Sequence, residues 1–198
     1  MPASPCINLT IEEKQRLLAL ARQTLVDYFT PRQPDIEGQA QDALLSRHVG
    51  CFVTLFIDGD LNGCMGDIEG HRPLSKSIPE LALCSAFKDN RFLPLLASQM
   101  ERLTVELSVL SPLSPLKVID EDALLRYLAD HRYGVILSDA FHRSVYLPQV
   151  WEQLPEPGQF IRELKRKGGW SADYWSDDMR VELFTVVHFR EQERTVSE

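Results

Sequence analysis

The segment of this chain with the most chemical potential is Leu61-Asn62-Gly63-Cys64-Met65-Gly66, in which two glycines flank a Cys-Met pair. Glycine inside a strand costs about 0.5–1 kcal/mol relative to alanine. It often marks a bulge or a place where another group approaches the backbone closely. A thiol between Gly63 and Gly66 could face a cleft, and a thiolate is a good nucleophile if a base or a positive field lowers the thiol pKa. The alternative is that Cys64 is a small buried apolar residue.

A cysteine nucleophile needs a base, and the sequence offers three candidates. His48 precedes the strand that comes before the hexapeptide, and His71 follows the hexapeptide, so each could lie near a sheet end or be an ordinary surface histidine. Glu106 lies on the polar face of an otherwise apolar strand. If that face is buried, the carboxylate needs a partner, because unpaired burial raises its pKa. Arg91 could supply that charge, whereas an open face would leave Glu106 in water.

The remaining cysteines and the histidines predict no metal site. Cys51 and Cys84 have apolar neighbours in the sequence and are expected in the core, and the four cysteines are widely spaced. There is no CxxC or HExxH motif, so a reduced chain without a zinc site is expected. No phosphate loop, Rossmann glycine pattern or iron–sulfur spacing occurs, so the sequence predicts no particular cofactor.

Charge and hydropathy narrow the class of partner. The 198 residues carry a net charge of −8, and 44% of them are hydrophobic. Such a surface would repel nucleic acid and anionic lipid. No apolar run approaches the roughly 20 residues of a membrane span, and the N-terminus lacks the charged and apolar regions of a signal peptide. These features predict a cytoplasmic protein that binds neither nucleic acid nor membrane.

The elements that must position the hexapeptide are predicted from capping, alternation and turn residues. A capping box of Thr10 and Glu13 begins the first helix, which ends at Thr30-Pro31. Residues 31–48 are predicted to be a long surface loop. Residues 51–57 read as a central strand, and Asp58-Gly59 favours a hairpin turn into a strand that begins at Leu61 and carries Cys64.

The rest of the chain alternates helices and strands without a βαβ rhythm. We therefore expect an α+β fold, with one mixed or antiparallel sheet flanked by helices. Aromatic residues late in the chain could line a groove or pack a smaller lobe. The predicted elements are a helix from Ser77-Ile78-Pro79 to Phe87, a turn at 89–92, a short helix at 94–100, a strand at 103–111, a helix at 120–130, a hairpin of 133–138 and 143–147, a helix at 159–167 and a final strand at 180–190.

Several separated motifs resemble the AMMECR domain family, whose prokaryotic members are called AmmeMemoRadiSam system protein A. They fall in the family's order from about residue 10 to residue 191. The motifs are Gly50-Cys51-Phe52-Val53-Thr54-Leu55, the hexapeptide, Ala86-Phe87-Lys88-Asp89-Asn90-Arg91-Phe92, Pro94-Leu95, Val105-Glu106-Leu107-Ser108-Val109-Leu110-Ser111, Leu147-Pro148-Gln149-Val150, Lys167-Gly168-Gly169 and Phe189-Arg190-Glu191.

The resemblance implies a single α+β domain over residues 1–198 with a larger and a smaller lobe, the smaller formed mainly within 112–178. It also implies a shared process with Memo-like or radical-SAM proteins, but no particular reaction. Three departures from the family pattern stand out. Asn62 replaces an arginine that could bind an anion or depress the thiol pKa, Met65 replaces an isoleucine, and Asn90 replaces a proline.

Two functions are compatible with these observations. In the first, the chain is an enzyme with Cys64 as nucleophile or thiol ligand, Glu106 or a histidine as base, and Asn62, Gly63, Gly66 and Arg91 as binding residues. In the second, it is a binding or assembly module for a Memo-like or radical-SAM partner. The hexapeptide glycines are then structural and Cys64 belongs to the core.

Overall fold

The structure is a computed structural model that describes residues 6–30 and 42–192. In those residues the chain forms four α-helices, eight strands and two short 3₁₀ turns. The helices are α1 (Ile11–Phe29), α2 (Leu74–Phe87), α3 (Glu121–Ala129) and α4 (Pro157–Gly168). The strands are β1 (Cys51–Ile57), β2 (Asp60–Asp67), β3 (Leu103–Leu110), β4 (Ser114–Leu116), β5 (Gly134–Ser138), β6 (Arg143–Tyr146), β7 (Arg180–Phe184) and β8 (Val186–Arg190).

The strands form two four-stranded sheets, ordered β2-β1-β3-β8 and β4-β7-β5-β6. The pairings of β1 with β2 and β3, and of β5 with β6 and β7, are antiparallel. The α+β class is confirmed, but the expectation of a single sheet is wrong. The two sheets belong to two compact units, one with residues 6–7 and 111–186, the other with residues 8–30, 42–110 and 187–192.

The hairpin that carries Cys64 forms as the turn residues predicted. Asp58 and Gly59 both have positive φ, at 53° and 88°. Glycine adopts that region freely and aspartate tolerates it, which is what a primed two-residue turn requires. The capping box at Thr10 and Glu13 is also present at the start of α1. Of the long loop predicted at 31–48, residues 31–41 lie outside the described residues.

Helix α2 begins earlier than its proline suggested. Pro79 was expected in the first turn, but the helix begins at Leu74, so Pro79 lies inside it. The first N–H groups of a helix have no partner within it. Here the Leu74 N–H donates to the Arg47 carbonyl at 3.0 Å, and the Ser75 N–H donates to the Leu45 carbonyl at 2.9 Å. This support from a distant turn could not be read from local sequence.

Two other predicted elements differ from the structure, and one strand was not predicted. The strand expected at 180–190 is broken at Thr185, whose N–H and carbonyl bond to the hydroxyl and N–H of Ser111. Its halves, β7 and β8, therefore belong to different sheets. The short helix expected at 94–100 is reduced to a 3₁₀ turn, Ala97–Gln99. The short strand β4, which contains Pro115, was not predicted, and it lies at a sheet edge, where proline is tolerated.

The unit formed mainly by Ser111–Val186 has its own core, and the late aromatics belong to it. Trp151 and Trp170 are buried, and the Trp151 ring stacks on Phe160 at 3.7 Å between centroids. Lys165 is fully buried, and its Nζ donates to Glu121 at 2.7 Å. The aromatic concentration thus packs this unit. Within the described residues, no helix is long and apolar enough to cross a membrane.

Candidate functional site

Cys64, Thr54 and Glu106 form a row across three neighbouring strands. Thr54 on the central strand β1 lies directly opposite Cys64 on β2 and directly opposite Glu106 on β3. Opposed residues of antiparallel strands project their side chains from the same face of the sheet. The structure therefore brings the predicted thiol and the predicted carboxylate onto one face, with a hydroxyl between them.

Cys64 is half-buried as a residue, and its sulfur contacts a hydroxyl. The Thr54 hydroxyl lies 3.3 Å from the Cys64 Sγ, with Thr54 Oγ1 as donor. Cys64 and Glu106 are both half-buried, whereas Thr54 is 8% exposed. The alternative that Cys64 is a buried core cysteine is therefore wrong, since part of the residue is accessible.

The backbone of Cys64 is bonded to two side chains that follow α2. The Cys64 N–H donates to Asp89 Oδ2 at 2.9 Å, and Arg91 Nη2 donates to the Cys64 carbonyl at 3.3 Å. The same guanidinium holds the carboxylate, through Nε to Oδ1 at 2.9 Å and Nη2 to Oδ2 at 2.7 Å. Arg91 is therefore the partner of Asp89, and the expectation that it neutralises Glu106 is wrong.

The pairing of Asp89 with Arg91 shifts the pKa of both side chains. The hydrogen bond from Arg91 and the N–H of Cys64 hold the pKa of Asp89 well below its usual range. In turn, the Asp89 carboxylate raises the pKa of Arg91. On the neighbouring strand, burial and then the charge of Asp67 raise the pKa of the Cys51 thiol to about 12. Cys51 is thus an inert core residue, as expected.

Gly63 is explained by the close approach of α2. A Cβ added at Gly63 would lie 2.1 Å from the carbonyl oxygen of Ser85. That approach brings the Ser85 hydroxyl into the sheet, where it accepts the Met65 N–H at 3.0 Å and donates to the Val53 carbonyl at 2.8 Å. The hydroxyl therefore bridges β1 and β2 beside Cys64.

Gly66 is explained by an aromatic ring. A Cβ at Gly66 would lie 2.0 Å from a ring carbon of Phe52, the residue directly opposite on β1. The Cβ positions at Gly63 and Gly66 are both filled from within the protein. The gap that these glycines were expected to leave beside Cys64 is therefore absent at these two positions.

Asn62, the residue that replaces the family arginine, lies at an irregularity in β2. Leu55 pairs with Gly63 and Phe56 with Leu61, so Asn62 has no opposite residue on β1. Its Nδ2 is buried and has no hydrogen-bond partner among the described residues. A bulge of this kind re-aims neighbouring side chains and commonly lies near functional sites.

The other predicted bases and one predicted core residue are placed differently. His71 is exposed and pairs with Glu69 at 2.6 Å, and His48 is also exposed. The side chains that hydrogen-bond to Cys64 are those of Thr54, Asp89 and Arg91. Cys84 was expected in the core but is half-buried. Within the same residues no group of three or more metal-binding side chains occurs.

Sequence reasoning missed three residues of the site. Thr54 was hidden inside an apolar strand, Ser85 inside a helix, and Asp89 in what was read as a simple turn. Only Asp89 had a local signal, because aspartate two residues before Arg91 can accept that residue's N–H, as it does at 3.3 Å. The others act through contacts between distant parts of the chain.

Comparison with known proteins places the chain in a family. The AMMECR1 family model matches residues 18–189. A protein of Methanopyrus kandleri is 32% identical over 195 residues, covering 94% of this chain and 92% of that protein. A protein of Methanocaldococcus jannaschii is 30% identical over 189 residues, covering 93% of each. The chain belongs to the AMMECR1 family.

A solved structure shows the same fold. The crystal structure of an uncharacterized protein from Pyrococcus horikoshii is similar to this chain, with a TM-score of 0.74 and 28% sequence identity. The similarity covers 93% of this chain and 94% of that one. These comparisons show the family and the fold, and they assign no reaction to the Cys64 row.

Proposed function

We propose that this AMMECR1 family member is an enzyme that uses Cys64 as a nucleophile, with Glu106 accepting its proton through Thr54. The row of Cys64, Thr54 and Glu106 carries the proposal, because the Thr54 hydroxyl meets the sulfur at 3.3 Å and lies opposite Glu106 in register. A hydroxyl can donate and accept at once, so it can pass a proton from one neighbour to another.

The proton transfer follows from the order of the row. The Cys64 S–H gives its proton to the Thr54 oxygen, and the Thr54 hydroxyl gives its own proton to the Glu106 carboxylate. The thiolate then accepts a hydrogen bond from Thr54, which is the direction of the contact between Oγ1 and Sγ. A thiolate stabilised in this way carries the lone pair that nucleophilic attack requires.

The second candidate is a binding or assembly module. It is favoured by Gly63 and Gly66, which are both explained by packing inside the protein rather than by a ligand. In this role the hexapeptide is a folding element, and the partner is a Memo-like or radical-SAM protein, as the resemblance implies. Both roles assume a reducing, cytoplasmic setting that keeps the thiols free.

Alkylation with iodoacetamide tests the enzyme proposal in the folded chain. The rate at each cysteine is measured by mass spectrometry between pH 6 and 9, and Cys84 is the internal reference because it is also half-buried. We expect Cys64 to react at least about tenfold faster than Cys84 at pH 7, because only Cys64 has the Thr54 hydroxyl and the Glu106 carboxylate in its row. Glu106→Gln should slow Cys64 by a similar factor and leave Cys84 unchanged.

The matched control is Glu101→Gln, which removes an exposed carboxylate just before β3. It should leave the alkylation rate of Cys64 unchanged. If Cys64 reacts no faster than Cys84, and Glu106→Gln has no more effect than Glu101→Gln, the enzyme proposal is wrong and the binding module is the better account.

A further inference from the structure

Strand β2 is an edge strand, and Cys64 lies where its outer edge would otherwise be unpaired. Within the part of the chain that the structure describes, the sheet order β2-β1-β3-β8 gives β2 a neighbouring strand on one side only. The backbone groups on such an edge normally bond to water or to another chain. At Cys64 the N–H and the carbonyl bond instead to the side chains of Asp89 and Arg91.

These two side chains act as a substitute for a neighbouring strand. The carboxylate supplies the acceptor for the Cys64 N–H, and the guanidinium supplies the donor for the Cys64 carbonyl. The two bonds between Arg91 and Asp89 lock the acceptor and the donor together. Because the guanidinium is planar and its donors have a fixed geometry, the unit is more rigid than a single side-chain hydrogen bond.

The rigidity of this unit matters because two glycines lie close to Cys64 on the same strand. Because glycine has no Cβ, Gly63 and Gly66 allow the backbone on both sides of the cysteine more conformations than other residues would. Without an external constraint, an edge segment with two glycines has freedom to tilt its side chains. Bonds to both backbone polar groups of Cys64 oppose that tilt and keep Sγ at 3.3 Å from the Thr54 hydroxyl.

Asp89 is committed to this arrangement by burial. Its side chain is 3% exposed, whereas the Arg91 side chain is 60% exposed. A carboxylate buried to that degree needs partners for its charge, and Asp89 accepts hydrogen bonds from Arg91 and from the Cys64 N–H. The carboxylate therefore cannot turn away from the strand without losing the contacts that make its burial tolerable.

We infer that Asp89, held by Arg91, is a positioning residue that fixes the Cys64 sulfur against the Thr54 hydroxyl. The catalytic meaning of this position rests on the proposed function, whereas the positioning itself is a property of the fold. Asp89 and Arg91 touch the backbone of Cys64 and act on the thiol through it. Their removal should therefore weaken the influence of Thr54 on Cys64.

A double-mutant cycle measures that influence. The readout is the pH profile of Cys64 alkylation by iodoacetamide, for the natural chain, Thr54→Val, Asp89→Asn and the double variant. Thr54→Val removes the donor to the sulfur and should slow alkylation at pH 7 about fivefold, the equivalent of one hydrogen bond of about 1 kcal/mol. In the Asp89→Asn background, Thr54→Val should change the rate less than about twofold.

Arg91→Lys provides a second background that keeps the positive charge and removes the planar fork. It tests the same coupling if Asp89→Asn does not fold, and a substitution at the exposed Arg91 side chain is well tolerated by a fold. Hydrogen exchange of the Cys64 amide should accelerate in both backgrounds. If Thr54→Val keeps its full fivefold effect in Asp89→Asn and in Arg91→Lys, the positioning role is overturned.

The outcomes separate this inference from the proposed function. If Cys64 is alkylated slowly and Glu106→Gln does not change its rate, the enzyme proposal is wrong. Loss of the Thr54→Val effect in the Asp89→Asn background would still support the positioning role. Conversely, rapid alkylation of Cys64 that depends on Glu106 would support the enzyme proposal. If the effect of Thr54→Val on that rate is the same with and without Asp89, the positioning role is overturned.

Discussion

Strands β1 and β2 are neighbours in one sheet, and each carries a cysteine in a different setting. Cys51 on the central strand β1 is 1% exposed, and burial raises its pKa to about 12. Cys64 on the edge strand β2 is half-buried, and its sulfur meets a hydroxyl. The central strand is flanked by β2 and β3, while the edge strand depends on side chains from elsewhere for its outer bonds.

This difference shows that a cysteine's chemistry here depends on the position of its strand. On the central strand, Cys51 is buried and is paired in register with a residue on each of the two neighbouring strands. An edge strand can hold a partly accessible thiol, but it needs specific partners to stay in place. Three predictions test this difference between the central strand and the edge strand.

The largest effect is expected on the central strand at alkaline pH. Above about pH 9 the unfolded chain loses the Cys51 proton, whereas the folded chain keeps it until about pH 12. The folded state then binds more protons, so the free energy of unfolding falls as pH rises, by about 1.4 kcal/mol per pH unit. Cys51→Ala should remove that slope, measured by urea unfolding between pH 8 and 10.5.

The control for this prediction is Cys6→Ala, which replaces an exposed thiol. Its unfolding free energy should follow the natural chain across the whole pH range. If Cys51→Ala also runs parallel to the natural chain, the buried thiol does not titrate as its setting requires, and the contrast between the strands is lost.

A smaller effect is expected from filling the glycines of the edge strand. Gly63→Ala places a methyl group against the backbone carbonyl of Ser85, which cannot move without shifting α2, so we expect a cost of about 1–3 kcal/mol. Gly66→Ala meets the Phe52 ring, which can turn, at a cost of about 1 kcal/mol. Chemical denaturation of the two variants checks the order, and a larger cost at Gly66 would contradict it.

The smallest effect is expected from the acid dependence of the edge contacts. The pKa of Asp89 is lowered in the folded chain, so its stabilising contribution is complete above about pH 5 and is lost as pH falls below about 4. Asp89→Asn should therefore destabilise the protein at pH 7 and progressively less toward pH 3, measured by urea unfolding at each pH.

Asp139 offers an independent comparison within the other compact unit. A hydrogen bond from Trp170 lowers its pKa to about 2, so its contribution declines between about pH 4 and pH 2. Asp139→Asn and Asp89→Asn should change stability additively, since the hydrogen bonds that lower the two pKa values come from different residues.

For the Asp89 prediction, an Asp89→Asn variant that is equally destabilised at pH 3 and pH 7 would show that the charge of Asp89 is irrelevant.

Local chemistry made part of the fold predictable. The Thr10 capping box and the Asp58-Gly59 turn each depend on residues close in the chain, and each has the expected structure. The alternation predicted for β3 is found in the burial of its first half, whereas Ser108 on the predicted polar face is buried. The start of α2 and the break at Thr185 were mispredicted, because both depend on hydrogen bonds to residues far away in sequence.

Residue types and spacing were enough to predict that Cys64 lies in a glycine-flanked strand of a hairpin, that Glu106 lies on the polar side of a strand, and that the chain resembles one family. The pairing and packing of the folded chain were needed to see that Thr54 lies between them, that Arg91 pairs with Asp89 rather than with Glu106, and that protein atoms fill the space at both glycines. The physical reason is that spacing along a chain sets the face of each strand, whereas pairing between strands decides which faces meet.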